Sequence, residues 1–272
     1  MTALETARGT VWKLGQGYAA SLYRRSLQVP TFLKNRMALV AGLWLLFAAP
    51  FALFRLATPA SPVHGVYDAL PILLSYSAIM AAPICGFLLA RAAFDDKRAR
   101  QPLDFHLSFV GKWKRVDADE ARSHPFYGPV GFLASLLIGM LLNVVVRSGE
   151  FFVAVPAMSM HAPEWGLTLF GLFTFDLVVM NFFYMVAFVM ALRSVPLFPR
   201  MLLFVWMMDI FMQVLIGFRM AHTPGLPAEV VAPLVALLKG NLIKVLISMT
   251  IWLPYLIVSH RVNVTYRSRL PA

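Results

Sequence analysis

The stretch "LTLFGLFTFDLVVMNFFYMVAFVMAL", residues 167–192, carries a single charged side chain, Asp176. As an α-helix it would rise ~39 Å at ~1.5 Å per residue, enough to cross a hydrocarbon core of ~30 Å. In lipid every backbone amide and carbonyl must be satisfied inside the segment, which a helix does and an open strand does not. A carboxylate near the middle of such a helix costs roughly 2.5–3.5 kcal/mol on insertion scales, so Asp176 calls for a partner inside the bundle.

Five further apolar blocks read as spans: 37–54, 70–92, 129–146, 200–219 and 240–259. The first holds Pro50 near its end and the last is interrupted by Pro254, neither of which excludes a membrane helix. The whole chain is 60% hydrophobic and 14% charged, with a formal net charge of +11; its mean hydropathy is +0.72. The sequence therefore predicts an all-α integral membrane protein with six transmembrane helices. Its positive charge lies mostly between the apolar blocks, which favours anionic lipid headgroups as the partner and not nucleic acid. The N-terminal residues lack the apolar core of a signal peptide.

Lysine and arginine positions set the orientation. Residues 1–36, the 91–128 loop, the 193–200 turn and the tail hold nineteen of them; the alternate connections hold four, namely Arg55, Arg147, Arg219 and Lys239. This predicts both termini on the cytoplasmic side of a bacterial inner membrane. Three segments follow: residues 1–30, residues 31–125 as a two-span hairpin with a basic loop, and residues 126–272 as a four-span bundle.

Residues 1–30 repeat Leu4, Ala7, Val11, Leu14, Tyr18 and Leu22 at three- and four-residue spacing, with Arg8, Lys13, Gln16 and Arg24 off that stripe. The pattern predicts an amphipathic interfacial helix, ending at Val29-Pro30; the alternative is a helix docked on another protein or on the cytoplasmic loop. Lys13, Arg24 and Arg25, then Lys112, Trp113, Lys114 and Arg115 in the loop, and Arg261 in the tail are the candidate lipid-interface residues.

Three ionisable residues fall inside spans: Asp176, Asp209 and Lys244. Asn241, Lys244, Ser248, Tyr255 and Ser259 return to one side of the sixth span, with Trp252 continuing that stripe, while Asp209 and Gln213 share a face of the fifth. The expectation is a polar seam of Asp176, Asp209, Gln213, Asn241, Lys244 and Ser248, with Lys244 paired to one of the aspartates. It would serve as a structural tie or as a binding site for an ion or polar ligand. Small residues at Ala78, Ala82, Gly86 and Ala90, and at Ser135, Gly139 and Asn143, predict close helix packing. "PAEVVAPLVALLKG" reads as a separate short helix before the last span.

Metal and cofactor motifs are absent: no Walker loop, HExxH, GxSxG, Rossmann fingerprint or CxxC occurs. His64, His161 and His222 fall one on each outer connection, and three loops could in principle bring them to one metal, but they lack helical ligand spacing and no supporting residues are legible, so no metal site and no cofactor are expected. Trp165 is placed as an interface anchor. The lone Cys85 lies in an apolar run and reads as a buried, inert thiol.

The ending "IWLPYLIVSHRVNVTY" resembles that of a bacterial membrane family classed as domain of unknown function 2569. Trp252, Pro254, Tyr255, Ser259, Arg261, Val262, Thr265 and Tyr266 carry the resemblance. "FFYMVAFVMALRSVPLFPRMLLF" and "YGPVGFLASLLIGMLL" are similar to other parts of it, so that residues 126–270 are covered. Two additional spans, and His260 where lysine is usual, depart from the pattern. The resemblance implies no activity. Physically, Ser259 and Arg261 are placed to cap the last span and meet its negative dipole end. The expected role is a non-enzymatic accessory or scaffold component with a membrane-protein partner; the alternative is a small ion-coupled transporter using the intramembrane charges.

Overall fold

The computed structural model describes Arg24 and residues 26–94 and 110–272. Six helices are long and apolar enough to cross a membrane: α1 (Met37–Ala57), α2 (Val66–Ala93), α4 (Phe132–Ala154), α5 (Glu164–Leu192), α6 (Phe198–Ala221) and α7 (Ala228–Val258). Two short helices, α3 (Ala118–Ser123) and α8 (His260–Arg267), and a helical stretch over residues 26–35 lie outside them. A two-stranded antiparallel ribbon joins β1 (Trp113–Arg115) to β2 (Arg269–Pro271), with Lys114 opposite Leu270. The protein is an all-α integral membrane protein. Large apolar side chains stand outward along the spans, Leu46 71% and Leu53 65% exposed, as hydrocarbon contact requires and water would penalise.

The central helix is α5, which packs against α2, α4 and α6. Its sequence explains why. It carries polar side chains that lipid cannot satisfy, so they turn inward to partners on neighbouring helices. Thr174, Asp176, Asn181 and Tyr184 are all buried along it.

The α2–α5 contact depends on glycine. A Cβ built on Gly86 would lie 2.5 Å from the Phe182 carbonyl oxygen, so the two backbones touch there. Ala82 and Ala90 are buried with Gly86, as the small-residue spacing predicts, although Ala78 is exposed. The ladder on α4 does not pack as expected. Ser135 and Gly139 face outward, and nothing lies within 4 Å of a Cβ at Gly139. Leu133, Leu136, Leu137 and Met140 hold the inward face instead. Cys85 is exposed on α2 and not buried.

Two boundaries differ from the sequence reading in ways that matter. Helix α4 does not stop at residue 146 but continues through "RSGEFFVA" to Ala154. Helix α7 absorbs "PAEVVAPLVALLKG" instead of leaving it as a separate helix. Pro227 takes the N-cap position and Pro233, in the second turn, removes one amide without stopping the helix. At the other end of the chain, the helix runs through Val29-Pro30 to residue 35. Most of the expected amphipathic start, with Lys13 and Arg25, lies outside the described residues, as do residues 95–109 of the basic loop. Arg24 is exposed, and Ser26 Oγ accepts a hydrogen bond from the Gly131 amide at 2.8 Å.

Gly86→Val should force α2 and α5 apart, with an overpacking cost of about 1–3 kcal/mol. Thermal unfolding in detergent should show a clearly lower midpoint than Cys85→Ser one residue away; equal midpoints would mean that the backbones do not meet.

Candidate functional site

Inside the bundle one guanidinium is shared by two carboxylates. Arg147 on α4 donates from Nη1 to both carboxylate oxygens of Asp209 on α6, at 2.8 Å each. Its Nη2 donates to Asp176 Oδ2 on α5 at 2.6 Å. Asp209 is 0% exposed, Asp176 3% and Arg147 9%. Paired charge-assisted bonds of this kind are directional as well as strong, and the planar guanidinium suits them.

Neutral groups close the cluster. The Tyr184 hydroxyl, two turns along α5 from Asp176, donates to Asp209 Oδ2 at 3.0 Å. Gln213, one turn beyond Asp209 on α6, donates from Nε2 towards Asp176 at 3.4 Å and Asp209 at 3.5 Å. Asn241 on α7 donates to Gln213 Oε1 at 3.2 Å. Four helices are thereby joined through one polar seam. Next to it Asn181 donates to Ser148 Oγ at 2.9 Å, a second tie between α5 and α4. A cavity of about 20 Å³ adjoins the cluster, lined by Arg147, Glu150, Asp176 and Asn241 among others; it has room for about one water.

The seam thus contains Asp176, Asp209, Gln213 and Asn241, as the sequence predicts. It does not contain Lys244. That ammonium pairs with Glu150 on α4, and both side chains are partly exposed, at 44% and 37%. The reason is angular. Asn241 and Val245 form the buried face of α7, and Lys244, three residues from Asn241, turns to its edge. Ser248 is half-buried on the same helix and is not part of the cluster. The cation that the aspartates take is Arg147, which a span ending at 146 assigns to an outer connection. A signal for it was present. Met140, Val144, Arg147 and Phe151 repeat at four, three and four residues, and all are buried, so the stripe carries the helix past Arg147. The apolar "FFVA" that follows is the other cue.

The residues around the C-terminal motif hold the opposite end of the bundle together. Thr265 Oγ1 accepts from the Gly128 amide at 3.0 Å. The Tyr266 hydroxyl donates to the Ala191 carbonyl at the end of α5, at 2.9 Å. Arg267 donates to the Leu256 carbonyl in the last turn of α7, at 2.9 Å, and to Asn263 Oδ1 at 2.8 Å. Arg267 thus caps α7 from its side chain, while Ser259 holds the C-cap position and donates its backbone amide to the Tyr255 carbonyl at 3.0 Å. Burial first, then the Arg269 and Arg200 charges, push Arg267 down to about 10. Arg261 instead donates to the Phe126 carbonyl at 3.2 Å and lies 5.6 Å over the Phe126 ring. Trp252 stacks on Phe132 and Tyr255 meets the same ring edge-on, with ring centroids 4.6 and 5.0 Å away. Trp113, Lys114 and Arg115 form β1 against the tail, and the Lys112 carbonyl accepts the Ala272 amide. Both Lys114 and Arg115 remain exposed.

No family model, curated protein or solved structure matches the chain.

Arg147→Met leaves two buried carboxylates without their cation and should cost about 3–5 kcal/mol. Lys244→Met breaks only a partly exposed pair and should cost under about 1 kcal/mol. Unfolding in mixed micelles compares the two; similar losses would mean that the buried triad does not hold the bundle.

Proposed function

We propose that this protein is a non-enzymatic accessory component of a bacterial inner membrane, with both termini and the basic 91–128 segment cytoplasmic. One observation carries the reading: the intramembrane charges bind one another. Arg147 is engaged by both aspartates, and Tyr184, Gln213 and Asn241 complete the set. A cluster satisfied in this way fixes how helices pack, which is the best-supported use of polar groups in membrane bundles. Assigning Arg147 to the bundle interior also strengthens the charge asymmetry that orients the chain. Anionic headgroups and a membrane-protein partner belong to the same proposal, with exposed Arg24, Lys114 and Arg115 on the lipid side. So does the likeness of residues 126–270 to the domain of unknown function 2569 family, which adds no activity.

A second reading, ion-coupled transport, has its own observation. Two carboxylates share one guanidinium, so with both ionised the cluster carries one net negative charge, which a proton or cation would neutralise. The water-sized cavity beside Arg147 and Asp176 is also lined by Glu150, the partner of Lys244 at the bundle edge.

Reconstitution into liposomes separates the two. The accessory reading predicts proton and alkali-cation flux no faster than in protein-free vesicles, and a stoichiometric membrane partner on purification in mild detergent. Gradient-driven flux that Asp209→Asn abolishes would overturn it in favour of the carrier.

A further inference from the structure

On the face of the bundle opposite the C-terminal ribbon, two connections are clamped to each other. The Ala60 amide donates to the Ala157 carbonyl at 2.9 Å. The hydroxyls of Ser61 and Ser159, both buried, are 2.9 Å apart. The Ser159 amide donates to Ser61 Oγ at 2.6 Å, and Ser159 Oγ donates to the Pro62 carbonyl at 2.6 Å. Arg55 at the end of α1 reaches across to the Phe152 and Val153 carbonyls at 2.6 and 2.7 Å. The α1–α2 and α4–α5 connections are therefore held in fixed register before any ligand arrives.

That frame presents three metal-ligating side chains to one point. His64 comes from the first connection, Asp68 from the first turn of α2 and His161 from the second connection. Asp68 Oδ2 lies 3.5 Å from His161 Nδ1 and 3.9 Å from His64 Nδ1. One ligand atom from each residue lies within 4.8 Å of the others, and the imidazole centroids are 5.2 Å apart. Donors ~2.0–2.1 Å from a tetrahedral zinc ion stand about 3.3–3.4 Å from one another. The three atoms are thus close to ligand spacing, and the side chain that must move most, His64, is also the most exposed at 72%. Asp68 is oriented from behind, since its Oδ2 accepts the His64 backbone amide at 2.9 Å. Outer partners that aim a ligating carboxylate are a regular feature of metal sites.

We propose that His64, Asp68 and His161 form a site for one divalent transition-metal ion, bridging the two connections. Two imidazoles and a carboxylate suit zinc and its neighbours over calcium or magnesium, which prefer oxygen ligands alone. The exposure of both histidines leaves the remaining coordination position to water or to a ligand from outside. His222, on the third connection of this face, takes no part, because its Nδ1 lies 2.8 Å from the Phe218 carbonyl.

The test uses the full chain, purified with its affinity tag removed, stripped with chelator and titrated with zinc chloride against a chromogenic competitor. The expected result is one zinc per chain, weakened at least about tenfold by His161→Ala and by Asp68→Asn and unchanged by His222→Ala. Zinc should also raise the thermal midpoint of the wild type and leave that of His161→Ala unmoved. Substoichiometric binding, or equal affinity in all four proteins, would overturn the site and mark any bound zinc as adventitious.

Discussion

A charge placed in hydrocarbon has few ways to be stabilised, and in this protein Arg147 and two aspartates stabilise one another. The guanidinium sits on α4, its acceptors on α5 and α6. None of the three can turn towards lipid without leaving the others buried and without their ion partner. The pairing therefore fixes the rotation of three helices at once, and Asn241 extends the constraint to α7 through Gln213. Hydrophobic burial cannot supply this, because lipid tails are as apolar as leucine. What it leaves undetermined, close packing completes. Gly86 lets α2 lie directly on the α5 backbone.

The two ends of the bundle are tied by different chemistry. At one end, backbone and serine hydroxyls clamp the α1–α2 connection to the α4–α5 connection. At the other, the tail folds back to pair with β1, and Tyr266 and Thr265 bind the carbonyl at the end of α5 and the amide ahead of α4. The short motif at the chain end, Thr-Tyr-Arg, has a structural explanation in these bonds. Each side chain bonds a backbone group at a helix end or turn.

Much of this was legible in the sequence, for a physical reason. Apolar length is read directly as a span, so six helices follow from composition. The aspartates and their polar neighbours were legible because lipid makes each of them conspicuous. Their partner was not. Arg147 stands at the point where an average hydrophobic window ends, and a basic residue there looks like a loop boundary. The buried stripe of Met140, Val144 and Phe151 on either side of it, and the apolar "FFVA" that follows, mark the helix as continuing. Lys244 misled in the opposite sense. It shares an approximate helical stripe with Asn241, but a three-residue step turns it about 60° from that face, and Glu150 lay closer. The meeting of His64 with His161 depends on how two loops pack, which no local spacing encodes.

The most direct test is a double-mutant cycle on Arg147→Met and Asp209→Asn, with unfolding free energies measured in mixed micelles. Hydrogen bonds between membrane helices couple by ~0.6 kcal/mol on average and by at most ~1.7. A doubly hydrogen-bonded buried ion pair should exceed that range, with a coupling above about 2 kcal/mol. A coupling near the ordinary average would contradict the account, because the helices would then be held by something other than this shared charge.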